Sequence, residues 1–248
     1  MVYVKTELAY SYEPIDFFEA ATEVALKAGH VVFDAGAVTL TLSAPRLVPH
    51  PDAASLTAEI RAVMLARQIL TQRAFTLLGP RVTHHDAEGR KHHVMLAGTG
   101  RFELRGQPVD FRVANAAGAV VRDTKADRIQ DETAFVQVVG PKVPTSPTLR
   151  RMLESYGRSI EDPLNALVYL YEIRDAAASH FKNDATARQQ LNVPDAEWSA
   201  LGRLANAEPI VEGRHRGKRD ATRSATGDEL TRARGIARMI IEAFARIV

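Results

Sequence analysis

The stretch Gly140-Pro141-Lys142-Val143-Pro144-Thr145-Ser146-Pro147 divides the chain into two kinds of sequence. Proline carries no backbone donor and fixes φ, so Pro141, Pro144 and Pro147 stop any regular element that approaches them. Ser146-Pro147 then reads as a helix start, a hydroxyl cap followed by proline at the first helical position. Strand-like alternation dominates before this segment and helical spacing after it. The expected fold is α+β, with residues 1–145 forming an antiparallel sheet packed with one long helix and residues 146–248 forming an all-helical bundle.

Upstream, Val31-Val32-Phe33-Asp34 and Val38-Thr39-Leu40-Thr41-Leu42 flank Ala35-Gly36, two β-rich runs around a glycine turn. Arg81-Val82-Thr83-His84-His85 and Lys91-His92-His93-Val94-Met95-Leu96 repeat the pattern around Asp86-Ala87-Glu88-Gly89. Asp first and Gly fourth fit a type I turn closed by a left-handed glycine. Alternation recurs in Arg101-Phe102-Glu103-Leu104-Arg105 and Val109-Asp110-Phe111-Arg112-Val113. Between the hairpins one helix is expected from near Asp52 to Gly79-Pro80, with Leu56, Ile60, Val63, Leu70 and Leu77 mostly on one face.

Downstream, the first bundle helix should end before Pro163, and Asp162-Pro163 should open the next, to about Phe181. Its apolar stripe reads as Leu164, Leu167, Val168, Tyr171, Ala178 and Phe181, with Arg174 and Asp175 inside that stripe. Short helices are expected at about 184–191 and 194–206. Thr226-Gly227-Asp228-Glu229 is a capping box for the last helix, whose stripe runs through Leu230, Ala233, Ala237, Ile240, Phe244 and Ile247.

Composition narrows the chemistry. The 248 residues contain no cysteine, which removes disulfides, thiol nucleophiles and cysteine-ligated metals. No secretory signal pattern opens the sequence, and no run of about eighteen apolar residues suits a membrane span. A soluble, cytoplasmic, bacterial protein is expected, with no cofactor and no membrane partner. His84, His85, His92 and His93 suggest a metal, but strand neighbours point to opposite faces, so each strand can offer one histidine to a given face. They are read as packing or exposed histidines. GxGxxG after a strand, Walker, GxSxG and HExxH patterns are all missing.

Charge is uneven. The net formal charge is +2, yet residues 210–225 hold Arg214, Arg216, Lys218, Arg219 and Arg223 against Glu212 and Asp220, a local +3. Guanidinium groups on a glycine-containing loop suit recognition of phosphate or carboxylate, so these five residues are the expected nucleic-acid-binding set. Inside the bundle, Arg174 and Asp175 at stripe positions call for partners, as a structural ion pair or as a site at an interface.

Arg174-Asp175-Ala176-Ala177-Ala178-Ser179-His180, in a helical domain with a basic loop, resembles the HEPN superfamily. That resemblance implies a homodimer that cleaves RNA without a metal: the ribose 2′-hydroxyl attacks, His180 or His215 is acid or base, and Arg174 holds the phosphate. More broadly, Leu170–Asp175, Trp198–Asn206 and Gly213–Gly217 resemble the C-terminal half of poorly characterised bacterial MauJ-like proteins, in which Asn206 and His215 would replace the compact motif. Ala185–Trp198 also resembles a helix-turn-helix, with Asn192 in the left-handed turn position. Arg188 at the close-packing position, and Asp195 and Glu197 at the reading end, depart from that pattern. Trp198, Leu201 and Leu204 are read as core.

The first functional expectation is therefore an interaction module that self-associates through the bundle and binds RNA or another polyanion through the basic loop. A HEPN-type ribonuclease and a DNA-binding helix-turn-helix are the alternatives.

Overall fold

The structure is a computed structural model that describes residues 3–42, 52–95, 112–114, 120–214 and 221–248. The chain divides into two compact units, Met1–Arg67 with Phe75–Pro141, and Gln68–Ala74 with Lys142–Val248.

The first unit carries a six-stranded antiparallel sheet. Its strands are β1 (Tyr3–Glu13), β2 (Thr22–Leu26), β3 (Gly29–Asp34), β4 (Ala37–Leu42), β5 (Thr76–Asp86) and β6 (Lys91–Met95). They lie in the order β2-β3-β4-β1-β5-β6. β1 is thus an inner strand, antiparallel to β4 on one side and to β5 on the other. Period-two burial explains the sheet: Thr6, Leu8, Tyr10 and Tyr12 of β1 point inward with Val31 and Phe33 of β3 and Val38 and Leu40 of β4. Helix α1 (Ala53–Thr71) supplies buried Ile60, Val63 and Met64 to this unit. The Tyr10 hydroxyl reaches Thr57 Oγ1 of that helix at 3.1 Å.

Both expected hairpins form. Ala35 and Gly36 between β3 and β4 take positive φ (44° and 82°), the two-residue turn that matches strand twist. Between β5 and β6, Gly89 is left-handed at φ 79°, and Asp86 Oδ1 accepts from the backbone N–H of Glu88 and of Arg90. The expected alternation at 101–105, and 109–111 of the next run, lies outside the described residues; β7 (Arg112–Ala114) pairs with β8 (Val120–Asp123).

Two expectations for this unit need correction. The helix stops at Thr71, not at Gly79-Pro80, because Gln72 turns left-handed (φ 52°) and Leu77 and Leu78 pair with Tyr12 and Ser11 of β1. Gly79-Pro80 lies inside β5, at a register shift between Ala9 and Ser11 of β1, a bulge where proline costs no ladder bond. A second helix, α2 (Thr124–Val139), also belongs to this unit, capped by Asp123, whose carboxylate accepts from the Ala126 N–H.

The second unit contains α3 (Pro147–Glu161), α4 (Ala166–His180), α5 (Asp184–Leu191), α6 (Asp195–Gly202) and α7 (Gly227–Ile247), with a π-turn over Arg203–Ala207. Ser146 caps α3 by accepting from the Leu149 N–H, and Thr226 and Glu229 form the capping box of α7. Leu149, Met152, Leu153 and Tyr156 of α3 share a core with Ile240, Ile241 and Phe244 of α7.

α4 is corrected in start and in phase. Pro163–Asn165 is a 3-10 turn, and Asp162 caps no backbone group; its carboxylate accepts from Asn165 Nδ2. The buried face is Ala166, Leu167, Leu170, Ile173 and Ala177, while Leu164 is 67% exposed. The second apolar stripe, which includes Val168 and Tyr171, is half-buried. A helix with apolar residues on two sides offers two phases, and packing selected the one with the branched side chains Leu167, Leu170 and Ile173.

Candidate functional site

On α4, Tyr171, Arg174 and Asp175 are spaced three and four residues apart, so they stack along one face. The Arg174 guanidinium lies over the Tyr171 ring at 5.1 Å and over the Trp198 ring of α6 at 5.2 Å. Its Nη2 donates to Asp184 at the start of α5. Gly202, four residues after Trp198, makes this fit: a Cβ there would stand 2.3 Å from Arg174 Nη1. Tyr171 also carries a second guanidinium, Arg214, at 4.6 Å. Arg214 Nη1 donates to Asp175 Oδ2 at 3.2 Å.

A chain of cation-π contacts therefore runs Trp198–Arg174–Tyr171–Arg214, from the core to the surface. The Trp198 residue is 2% exposed, whereas the side chains of Arg174 and Arg214 are 13% and 38% exposed. Each contact of this kind is worth about 0.5–2 kcal/mol, more as it is desolvated. The π-turn anchors the outer end. Arg214 N–H donates to Ala205 O at 2.7 Å, and a Cβ on Gly213 would meet that same oxygen at 2.9 Å. Glycine at 213 is what lets the chain pass so close to the turn.

The cluster is balanced in charge: two arginines face Asp175 and Asp184. Partial burial holds the Asp175 carboxyl above its ordinary value, against the pull of Arg214 and Arg174. Arg174 and Asp175 do not pair with each other; their partners are Asp184 and Arg214. Asp175, expected within the buried stripe, has half its side chain exposed because that stripe turned outward.

His180 sits elsewhere. Its ring packs edge-on against Phe181 and Phe244, at 4.8 Å from each, and it lines a groove of about 410 Å³ between α3 and α4. Arg151 and Arg158 of that groove are balanced by Glu154 and Glu172. Arg174 and His180, six residues apart, thus have different neighbours on α4 and are not brought together. His215, Arg216, Lys218 and Arg219 lie outside the described residues. Arg223 is engaged by Glu229 through two hydrogen bonds of 2.7 Å, which pull the Glu229 carboxyl down to about 2.

The helix-turn-helix segment folds as α5, Asn192 at φ 51°, and α6. Trp198, Leu201 and Leu204 are buried, as expected. The first turn of α6 presents Asp195, paired with Arg188, and Glu197, which accepts from Arg232 at 3.1 Å. Carboxylates at that end repel DNA phosphates.

In the first unit, His84 is buried and bonded to Thr6 at 2.9 Å, His85 meets Glu7 at 3.0 Å, and His92 meets Asp86 at 3.0 Å. The side chain of His93 lies outside the described residues. Among the described residues no group of three His, Cys, Asp or Glu is placed to hold a metal, and no helix is long and apolar enough to cross a membrane.

Family models, curated proteins and solved structures were all compared with the chain. None matches.

Sequence reasoning picked out Arg174 and Arg214 but missed that Tyr171 joins them. It also missed Gly202 and Asp184. The readable signals were Tyr171 three residues before Arg174, and glycine four residues after the lone tryptophan.

Proposed function

We propose that the helical unit is an interaction module that binds RNA, with Arg214 as the fixed inner end of a basic contact surface and Arg216, Lys218 and Arg219 as its phosphate-neutralising residues. The observation that carries this reading is the placement of Arg214. It is the first basic residue of the +3 segment, and its backbone and side chain are both tied to the α4–α6 face. Because Asp175 and Asp184 balance the cluster and Glu229 engages Arg223, attraction for a polyanion falls to Arg216, Lys218 and Arg219.

The test is fluorescence anisotropy of a labelled single-stranded RNA across a salt series. Affinity should fall steeply with salt, since each neutralised phosphate adds about −0.7 to the log–log slope for single strands. Replacing Arg216, Lys218 and Arg219 together by alanine should flatten that slope by about 2. Binding that is absent, or insensitive to salt, overturns the reading. The RNA should emerge intact on a denaturing gel. Cleavage abolished separately by Arg174→Ala and His180→Ala would favour the ribonuclease reading instead.

A further inference from the structure

The geometry points to the outer face of the Arg214 guanidinium as a stacking platform for one unpaired nucleobase, which makes the ligand class single-stranded and not duplex RNA. This inference rests on the RNA-binding reading and deepens it.

A guanidinium has two kinds of recognition surface: its N–H edges, which grip phosphates and carboxylates, and its flat faces, which stack on π-systems. At Arg214 part of the edge is engaged, since Nη1 donates to Asp175. One face lies over Tyr171 at 4.6 Å. Among the described residues Arg214 makes no further ion pair or ring contact, and its side chain is 38% exposed. What it offers a ligand that a lysine would not is the remaining face.

That face is held still. The backbone N–H of Arg214 is fixed on Ala205 O, and its charged end is fixed by Tyr171 and Asp175. Tyr171 in turn shares its ring with Arg174, which lies over buried Trp198. A platform backed in this way loses little side-chain entropy when a ligand arrives. The next member of an alternating ring–cation–ring–cation series is a ring. Bases in a duplex are stacked on one another and hide their faces, whereas single strands present them.

The charge of the cluster supports stacking over phosphate capture. Two arginines with two aspartates attract a phosphate weakly, whereas stacking between a base and a guanidinium tolerates a nearby carboxylate on the guanidinium edge.

The deciding experiment compares a short oligoadenylate, an abasic ribose-phosphate oligonucleotide of equal length and an RNA duplex, on wild type and on Arg214→Lys. Lysine keeps the charge and has no face. Wild type should bind oligoadenylate about tenfold more tightly than the abasic strand, the effect of one stacked base. Arg214→Lys, which keeps the charge, should bring oligoadenylate binding down to the level of the abasic strand. Equal binding of oligoadenylate and abasic strand by wild type overturns the stacking platform and leaves the RNA-binding reading standing. So does a Lys variant that keeps the preference. Lack of salt-sensitive binding to all three probes overturns both. Because the wild-type comparison needs no variant, the result does not depend on how Arg214→Lys folds.

Discussion

Arg67 in the first unit and Arg174 in the second are built from the same parts and end differently. Each is a helix arginine whose guanidinium lies over two aromatic rings, Phe17 and Phe18 at 5.8 and 4.9 Å for Arg67, Tyr171 and Trp198 for Arg174. Each has a carboxylate partner. For Arg67 that partner is Glu132 of α2, with side-chain exposures of 3% and 5% for the pair. Arg67 also donates to Phe17 O and stands 4.0 Å from Glu19, which is itself gripped by Arg128. Burial lowers the Arg67 pKa, and Glu132 opposes that shift. The partner of Arg174, Asp184, has half its side chain in water. The difference lies in the far side of the ion pair. A buried carboxylate closes the network and makes the arginine a pin between α1, α2 and the segment before β2. An exposed carboxylate, followed by Tyr171 and Arg214, opens the chain of contacts to the surface.

The largest expected effect tests the closed network. Glu132→Ala leaves Arg67 buried without its main counterion, and the unfolding free energy in urea should fall by about 3–5 kcal/mol. A loss below about 1 kcal/mol would remove the distinction drawn between the two clusters. Next is Gly202→Ala, which pushes a methyl onto Arg174. Its cost should be about 1 kcal/mol, the low end for overpacking because the group met is the tip of a flexible side chain, with a shift in the emission of Trp198, the lone tryptophan of the chain. Unchanged emission would mean that Arg174 is not held between the rings. At the open end, Asp184→Ala should cost less than about 1 kcal/mol, because an exposed pair contributes little in water. The ratio of the Glu132 and Asp184 losses measures how far the two arginines differ.

Acid should separate a third pair from both. Glu229, ordinarily near 4.5, is drawn down to about 2 by Arg223 and by the Thr226 N–H. The folded state thus holds this proton less tightly than the unfolded chain. Its contribution to stability is complete above about pH 4.5 and is lost as pH falls toward 2. Glu229→Gln should flatten the stability profile in that window, as followed by circular dichroism. An unaltered profile would show that the Arg223–Glu229 contact contributes nothing in solution.

Local rules read much of the fold. Ala35-Gly36, Asp86–Gly89, Ser146-Pro147 and Thr226–Glu229 each act through groups within a few residues, and each forms as its residues require. β1 was equally open to reading, since Thr6, Leu8, Tyr10 and Tyr12 alternate with Glu7, Ala9 and Ser11. α2 was not, because its charged residues resemble a solvated face although Glu132 is buried. The end of α1 was misplaced because Gly79-Pro80 is a strong stop signal that serves as a bulge once β1 is beside it.

By itself, the sequence determined the α+β architecture, the caps and turns, and the exclusion of thiol chemistry. All of these depend on residues that are neighbours along the chain or on residue types that are missing. Only the tertiary structure decided which stripe of α4 is buried and which carboxylate each arginine meets. Those outcomes join Arg67 to Glu132 and Tyr171 to Arg214, far apart in sequence. The energy of such contacts depends on burial, and burial exists only after the helices have packed.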